Sequence, residues 1–319
     1  MKYVILLFLF ILLSFTGFAQ QSYSPRDTSY SIYSSYLKIK KTHPDVHPIW
    51  SDLPKCVQTK SNLVYANIDD TRPLHLDVFY LKKKKRKKRP AILMIHGGGW
   101  TTGSKENLIP MAQQLAEKGY VTVTVEYRLS AEARYPAGIF DLKTAVRWMR
   151  ANADEFGIDT TKIAAYGASA GAHLASFLGT TNGLAQFEGN KGYREFSSDI
   201  QAVLNIDGIV SFIHPDAEPE WTGYSANQWL DSYETNFERW KEASPLEYAG
   251  SDTPPFLFVN SSFPRFHAGR DDLIDVLDKN GIFNEVHTFD DTPHAFWLLY
   301  PWFEPTLEYS LGFLKKVFK

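Results

Sequence analysis

The sequence predicts an α/β fold in which a mostly parallel sheet is covered by helices on both faces. From residue 91 onward, short apolar or β-branched runs alternate with longer amphipathic segments, which is the pattern of strands joined by helices. Hydrophobic residues make up 44% of the 319 residues, enough to bury the core of one large domain. The sequence shows no internal repeat and no boundary of a second domain.

Each element follows from its local pattern. Strands are predicted over residues 62–68, 74–80, 91–95, 120–126, 162–166, 202–206, 256–260 and 285–289, and helices over residues 107–118, 138–153, 170–178, 268–279 and 306–318. The segment 74–80 alternates apolar and polar residues, as a half-buried strand does. Since parallel sheets place ligands at the carboxyl ends of their strands, the functional site is expected there.

Residues 1–19 have the features of a secretory signal peptide. Lys2 supplies a positive start, residues 4–13 form an uninterrupted apolar run, and small residues follow at Gly17 and Ala19. The apolar run is shorter than a membrane-spanning helix requires. We therefore expect export to the periplasm or the cell exterior, with no stable membrane insertion after cleavage. Residues 20–60 are expected to form an arm lying on the domain of residues 61–319.

An unbroken basic run covers residues 82–89. Such runs bind nucleic acid or other anionic polymers in some proteins. This run is short, has no interleaved aromatic residue and falls between two predicted strands, so a solvated loop is the preferred interpretation. The formal net charge of -2 likewise gives no whole-chain attraction to nucleic acid, and no nucleic-acid partner is expected.

The most informative motif is Gly-Ala-Ser-Ala-Gly at residues 167–171. A predicted strand precedes it and a predicted helix follows, which is the context of a nucleophile elbow. Gly167 and Gly171 have no Cβ atom to clash where the chain turns so sharply. The N-terminus of the following helix points free N–H groups at the charge that forms when a serine attacks a carbonyl. We predict that Ser169 is a catalytic nucleophile.

A glycine-rich loop, His-Gly-Gly-Gly-Trp at residues 96–100, follows the predicted strand 91–95. Glycines let backbone N–H groups approach a substrate oxygen closely. Gly98 and Gly99, together with the N–H of Ala170, are predicted to form an oxyanion hole. His96 is expected to brace this loop rather than act as a base.

The base is expected late in the chain, in a loop after the last predicted strand. Thr-Pro-His-Ala-Phe at residues 292–296 lies there, and we predict that His294 is the general base. The other histidines fit less well, since they precede the sheet core or lie within predicted helices, strands or the insertion.

Together these motifs resemble one family. The motifs are the loop of residues 96–100, Tyr-Arg-Leu at 127–129, Pro-Ala-Gly-Ile-Phe-Asp at 136–141, Ala-Val-Arg-Trp at 145–148, and the elbow followed by Ala-His-Leu-Ala. They resemble the hormone-sensitive-lipase-like and bacterial feruloyl-esterase-like (BD-FAE-like) branch of the α/β hydrolases, densely over residues 60–180. The resemblance implies an α/β-hydrolase fold, Ser169 as nucleophile, the glycines as oxyanion hole and a late histidine as base. It implies a structural role for Asp141.

The triad acid departs from the family pattern. The family usually places an Asp just after the strand that corresponds to residues 256–260, but here no carboxylate follows until Asp271 and Asp272, inside the next predicted helix. Some lipases of the same superfold take the acid from the preceding strand, and Asp207 directly follows residues 202–206. We predict Asp207 as the acid, with Asp271, Asp272 or a non-acidic partner as alternatives.

Aromatic residues suggest where substrate binds. An insertion after the sixth predicted strand contains Trp221, Tyr224, Trp229, Tyr233, Phe237 and Trp240, and a second aromatic run follows His294. These rings suit sugars or an aryl acyl group, although packing under a lid is an equal alternative. The predicted substrate contacts are Trp100, Arg265, His267 and Trp297, where the two basic residues would hold a carboxylate or sugar hydroxyls.

The leading hypothesis is a secreted serine carboxylic-ester hydrolase that acts through an acyl-enzyme. Its expected partner is a small-molecule or polysaccharide ester, by analogy an acetyl or feruloyl ester of plant cell-wall polysaccharide. The alternatives are a peptidase of the same fold and a catalytically silent, glycan-binding protein. The sequence has no zinc-ligand spacing, phosphate loop or dinucleotide fingerprint, so no metal or cofactor is expected. The oligomeric state stays open.

Overall fold

The computed structural model describes residues 26–83, 87–217 and 223–319, and for residues 223 and 224 it describes the backbone alone. The predicted signal peptide, the middle of the basic run and Trp221 therefore lie outside the described residues. Over the described ranges, no helix is long and apolar enough to cross a lipid bilayer.

A twisted eight-stranded sheet forms the centre of the domain. Its strands are β2 (Val57–Asn67), β3 (Pro73–Leu81), β4 (Arg89–Ile95), β5 (Val121–Val125), β6 (Ile158–Ala168), β7 (Ala202–Ile206), β8 (Phe256–Asn260) and β9 (Asn284–Thr288). Two short strands, β1 (His47–Pro48) and β10 (Leu299–Tyr300), form a separate two-stranded sheet. The sheet order is β2-β3-β5-β4-β6-β7-β8-β9. The pairs β2–β3 and β3–β5 are antiparallel and the remaining pairs are parallel. The predicted fold class, a mostly parallel central sheet flanked by helices, is confirmed.

Helices cover both faces of this sheet. They are α1 (Ile32–Ile39), α2 (Ile109–Glu117), α3 (Ala137–Ala151), α4 (Ala153–Phe156), α5 (Ala170–Thr180), α6 (Gly223–Leu230), α7 (Phe237–Glu242), α8 (Arg270–Lys279) and α9 (Phe303–Val317). The helix predicted over residues 107–118 begins as a 3-10 turn, Lys105–Leu108, and becomes α-helical at Ile109. Pro110 explains the break, since proline has no N–H to donate and is tolerated in the first turn.

Two apolar cores lie on opposite faces of the sheet. In β4, Leu93 and Ile95 pack into one core, whereas Ile92 and Met94 pack into the other. A strand buried on both faces reads as a continuous apolar run rather than as an alternation. This double burial explains why the short run at 91–95 marks a central strand.

The N-terminal arm is more regular than its sequence suggests. Helix α1 begins at a capping box in which Ser31 and Ser34 bond reciprocally, and its last residue, Ile39, is buried in the core. Strand β1 pairs antiparallel with β10. A capping box usually carries Glu or Gln at the position that Ser34 occupies, so the motif is hard to recognise from sequence.

The insertion between β7 and β8 contributes α6 and α7. Trp229 and Trp240 are fully buried, whereas Phe237 is exposed. The indole of Trp240 donates to the backbone carbonyl of Asp231, and its ring contacts Phe212 edge-on. For the two tryptophans, the structure thus favours the packing alternative over contact with sugars.

Candidate active site

The elbow serine occupies the tip of a sharp turn between β6 and α5. Ser169 has φ 56° and ψ -123°, a conformation that costs about 1–3 kcal/mol for a residue with a side chain. A Cβ atom at Gly167 would overlap the carbonyl of Gly171, and one at Gly171 would overlap the carbonyl of Ile95. Glycine is therefore required on both sides of the serine, and the turn holds the Ser169 side chain at the carboxyl end of the sheet.

The structure brings Ser169, His294 and Asp207 together in a hydrogen-bonded chain. Ser169 Oγ lies 2.8 Å from His294 Nε2, and His294 Nδ1 lies 2.7 Å from Asp207 Oδ2. The Asp207 side chain is completely buried, and that of His294 is partly exposed. Because a carboxylate accepts only, Nδ1–H donates to Asp207 and leaves Nε2 to accept the serine proton. This is the arrangement that activates a serine as a nucleophile.

Asp207 reaches His294 from the strand before the usual one. It follows β7, whose carboxyl end lies beside that of β8 in the parallel sheet. Its other carboxylate oxygen, Oδ1, accepts the N–H of Ser261 at 2.8 Å, directly after β8. The loop after β8 thus carries no triad acid of its own, but its backbone N–H at Ser261 holds the carboxylate of Asp207, which follows the neighbouring strand β7.

The alternative acids have other partners. Asp271 bonds to Arg270 at 2.7 Å in the first turn of α8, and its side chain is largely exposed. Asp272 faces His214 at 3.6 Å. Of the three carboxylates considered from the sequence, only Asp207 contacts the imidazole of His294.

The predicted oxyanion-hole residues have free backbone N–H groups, and two of them, Gly99 and Ala170, lie beside the serine. Gly98 and Gly99 have φ values of 119° and 60°, which glycine adopts without penalty. Within the described part of the chain, the backbone N–H groups of Gly98, Gly99 and Ala170 donate to no other protein group. Gly99 and Ala170 line the same cavity as Ser169. Unpaired donors at this position suit the binding of a developing oxyanion.

His96 braces the glycine loop, as expected. Its Nδ1 lies 2.7 Å from the carbonyl of Gly97, and its Nε2 lies 2.6 Å from the guanidinium of Arg26. Since an arginine only donates, Nε2 must accept and Nδ1–H must donate to Gly97. Burial, reinforced by the Arg26 charge, lowers the pKa of His96 to about 3, so the ring stays neutral.

Arg26 connects the N-terminal arm to this loop. In addition to His96, it donates to the carbonyls of Gly103 at 2.9 Å and of Tyr127 at 2.8 Å. The guanidinium therefore ties together the start of the glycine loop at His96, the chain just beyond the loop at Gly103 and the chain after β5. Sequence reasoning missed this contact, because a single arginine in a segment without periodicity carries no local signal.

A cavity of about 200 Å³ opens in front of the serine. Trp100 and Ile209 are among its lining residues. Trp100 is fixed in place, because its ring stacks on Trp229 at 5.2 Å and its Nε1 donates to His173 Nδ1 at 3.3 Å. The insertion thus supports Trp100 through Trp229 and also contributes Ser225 of α6 to the cavity lining.

The four predicted substrate contacts separate into two pairs. Trp100 and Arg265 line the cavity, whereas His267 and Trp297 do not. Trp297 is only 2% exposed and meets His294 edge-on at 5.1 Å, so it packs beneath the histidine instead of contacting substrate. His267 is half-buried, and burial together with Arg270 lowers its pKa.

Phe266 is a functional residue that the sequence did not reveal. Its ring stacks on the His294 imidazole with a centroid distance of 3.5 Å and an interplanar angle of 9°. The Arg265 guanidinium lies 4.4 Å from the centroid of the same Phe266 ring. Phe266 lies between two of the basic residues noted in the sequence, but only the fold shows that it fixes the plane of the histidine.

Asp141, which the resemblance implied to be structural, is buried and accepts several hydrogen bonds from Arg128, the shortest at 2.7 Å. Among the residues that the structure describes, no group of three or more His, Cys, Asp or Glu side chains is arranged to hold a metal ion.

The strand order, the elbow and the hydrogen-bonded chain at the ends of β6 and β7 define an α/β hydrolase. Residues 76–271 match the BD-FAE family, and the chain belongs to this family.

The chain is also similar to curated esterases. The probable carboxylic ester hydrolase LipM of Mycobacterium tuberculosis is 30% identical over 222 residues, 64% of this chain and 49% of the relative. Esterase LipC of the same organism is 31% identical over 202 residues, 61% of this chain and 49% of the relative. The chain thus spans about half the length of these curated relatives.

Two solved structures share the fold. A truncated form of a carbohydrate esterase from gut microbiota superposes with a TM-score of 0.66 at 23% identity, covering 84% of this chain and 99% of that one. The apo form of Thermogutta terrifontis esterase 2 superposes with a TM-score of 0.66 at 25% identity, covering 83% and 96% of the two chains.

Proposed function

We propose that the protein is an exported serine carboxylic-ester hydrolase that acts through an acyl-enzyme. The observation that carries the proposal is the chain of hydrogen bonds from Ser169 through His294 to Asp207, 2.8 and 2.7 Å long. The named relatives, a probable carboxylic ester hydrolase and an esterase, support ester chemistry. A catalytically silent protein was considered because no acid follows β8, and the contact of Asp207 with His294 removes that reason.

The geometry supports a two-step mechanism. Ser169 Oγ attacks the ester carbonyl while His294 Nε2 takes its proton, and the carbonyl oxygen becomes an oxyanion facing the N–H groups of the glycine loop and Ala170. Asp207 stabilises the imidazolium. His294 then gives the proton to the departing alcohol oxygen, leaving Ser169 acylated. A water molecule, deprotonated by His294, attacks the acyl carbon, and the proton returns to Ser169 as the acid leaves.

The size of the cavity supports a small acyl group. Its volume of about 200 Å³ is below the roughly 300–1,000 Å³ typical of pockets for drug-sized ligands. Trp100 cannot easily move aside, since stacking and a hydrogen bond hold it. Of the acetyl and feruloyl groups considered from the sequence, acetyl is therefore favoured. One structural neighbour is named a carbohydrate esterase, and this likeness supports a sugar as the alcohol.

The signal-like residues 1–19 support export to the periplasm or the cell exterior, where an enzyme would meet plant cell-wall polysaccharides. We expect the purified protein to release acetate from acetylated xylo-oligosaccharides at least about tenfold faster than ferulate from feruloylated ones, because the fixed ring of Trp100 limits the room for a bulky aryl acyl group beside Ser169. Release of ferulate at the higher rate would contradict the acetyl assignment, and release of neither would contradict the proposed function with these substrates.

Ile209→Ala is expected to shift acyl-chain preference. Ile209 is 6% exposed and lines the catalytic cavity, so shortening it creates room for two or three more carbon atoms. The ratio of kcat/KM for p-nitrophenyl butyrate to that for p-nitrophenyl acetate should rise about tenfold, the scale of one or two methylenes in an apolar pocket. The matched control is Ile274→Ala in α8, a partly buried isoleucine outside the cavity lining, which should leave the ratio unchanged. An unchanged ratio in Ile209→Ala would contradict the assignment of this cavity to the acyl group.

Arg26→Gln is expected to lower kcat about tenfold and to change KM by less than about twofold. The lost hydrogen bonds are worth about 1–3 kcal/mol, and their loss would loosen the glycine loop rather than the substrate pocket. Arg26 is a positioning residue that acts through His96 and the carbonyl of Gly103. Steady-state kinetics with p-nitrophenyl acetate separates kcat from KM. Arg150→Gln is the control, because Arg150 also bonds to backbone carbonyls but lies on α3 away from the loop. Equal kcat values for wild type and Arg26→Gln would refute the positioning role.

A further inference from the structure

A second cavity adjoins the catalytic one. Its volume is about 520 Å³, and we call it the arm groove, because one wall is formed by the N-terminal arm through Ser34, Lys38 and Thr42. The opposite wall includes Phe263, Arg265, Phe266 and His294. Arg265 and Phe266 line both cavities, so the arm groove and the catalytic cavity meet at these two side chains.

The position of His294 indicates which part of an ester the arm groove would hold. His294 lines the arm groove and is absent from the lining of the catalytic cavity. In the mechanism above, His294 gives its proton to the oxygen of the departing alcohol. The alcohol must therefore leave on the His294 side, whereas the acyl group stays in the cavity beside Ser169. The arm groove is the space into which the alcohol part extends.

The charges of the arm groove indicate what kind of alcohol fits. Lys38 and Arg265 are cationic, and no Asp or Glu is among the lining residues. Across the described ranges, neither cation lies within ion-pairing distance of a protein carboxylate, whereas many other lysines and arginines of the chain are paired. Two unpaired cations along one groove favour an anionic ligand.

The remaining surfaces of the groove suit a sugar. Phe263 is 46% exposed, an unusual exposure for a phenylalanine and a flat apolar face for stacking. The hydroxyl groups of Ser34 and Thr42 on the arm side already donate to the carbonyls of Ser31 and Ile39, so the cations are the donors that the groove offers to a ligand. A stacking face and cations together match a saccharide ring that carries a carboxylate.

We propose that the arm groove binds the alcohol part of the ester and that this alcohol is an acidic saccharide, such as an oligosaccharide containing uronic acid residues. The inference rests on the proposed function, because it names the substrate class of the same site. It also gives the N-terminal arm a role in recognition beyond its packing on the domain.

The test compares two substrates that differ at their carboxyl groups, which are charged in one and neutral methyl esters in the other. Acetylated trigalacturonate with free carboxylates and the same compound with methyl-esterified carboxyl groups are supplied to wild type, Lys38→Gln, Arg265→Gln and the double variant, and acetate release is measured. At low salt, we expect wild-type kcat/KM to be about tenfold higher for the free carboxylates, a preference that Lys38→Gln lowers about threefold and the double variant abolishes. The preference should also shrink towards one in about 0.5 M NaCl, because salt screens exposed charges.

Lys41→Gln is the matched control, since it removes the same charge from the same segment at a residue that does not line the groove, and it should keep the wild-type preference. Turnover of p-nitrophenyl acetate by the same preparation separates the two proposals. If no ester is hydrolysed, the proposed function fails and this inference fails with it. Three results with an enzyme that hydrolyses p-nitrophenyl acetate would overturn only the acidic-saccharide inference. The first is release of acetate from neither saccharide, and the second is a ratio of kcat/KM for the free acid to kcat/KM for the methyl ester near one. The third is a ratio that the Lys38 and Arg265 variants do not change.

Discussion

Ser169→Ala is expected to lower kcat for p-nitrophenyl acetate by about 10⁶-fold, the scale found when the nucleophile of a triad is removed. The loss follows from the geometry, because Ser169 Oγ is the group that His294 Nε2 contacts at 2.8 Å. The variant should fold normally, since the substitution removes one oxygen atom and leaves the packing around residue 169 unchanged. Steady-state rates measured on variants with matching thermal unfolding curves give the comparison.

Ser225→Ala is the control for Ser169→Ala. Ser225 lines the same cavity from helix α6 but forms no contact with His294. Its loss should cost less than about tenfold, since it removes at most one polar contact. A Ser169→Ala variant that keeps more than about a hundredth of wild-type kcat, or a Ser225→Ala variant that loses as much as Ser169→Ala, would show that Ser169 is not the nucleophile.

Asp207→Asn is expected to lower kcat about 10⁴-fold, as the corresponding substitution does in serine proteases with the same triad geometry. Asn can still accept the N–H of Ser261, so the turn after β7 is preserved. The amide group, however, donates where the carboxylate accepted the Nδ1 proton, at 2.7 Å. The imidazole would then carry its proton on Nε2, where it cannot take the proton of Ser169.

Asp271→Asn and Asp272→Asn are the controls for Asp207→Asn. Both side chains lie on α8 and have partners other than His294. Rates of p-nitrophenyl acetate hydrolysis within about twofold of wild type are expected for both, because neither residue touches the reacting groups. If Asp207→Asn stayed within about tenfold of wild type, or if one of the α8 variants lost most of its activity, the acid would have to be reassigned.

The sequence predicted the elements best where local pattern and tertiary environment agree. The strands predicted over residues 202–206 and 256–260 have the bounds of β7 and β8, because runs buried on both faces end where polar residues resume. The single helix predicted over residues 107–118 was wrong at its start, where Pro110 delays the α-helical geometry. The arm was predicted only as a segment on the surface, since the pairing of β1 with β10 is a long-range contact.

The residues of the candidate site likewise comprise those that a local motif predicts and those that only the fold brings together. Ser169, the glycine loop and His294 each belong to a contiguous motif, so their predicted positions follow from short stretches of sequence. Asp207 depends on which strands are neighbours, and only the adjacency of β7 and β8 brings it to His294 and Ser261. The burial of Trp297 and the stacking of Phe266 are also products of packing, and no local pattern distinguishes a ring beneath a histidine from a ring that faces substrate.

The central claim, that Ser169 is an activated nucleophile, is tested most directly by covalent labelling. Folded wild-type protein is treated with a fluorophosphonate, and the modified peptide is identified by mass spectrometry. We expect one adduct, on the peptide that contains Ser169, which is absent from Ser169→Ala and forms far more slowly in His294→Ala. Failure of the folded wild type to react, or an adduct on any other residue, would contradict the claim.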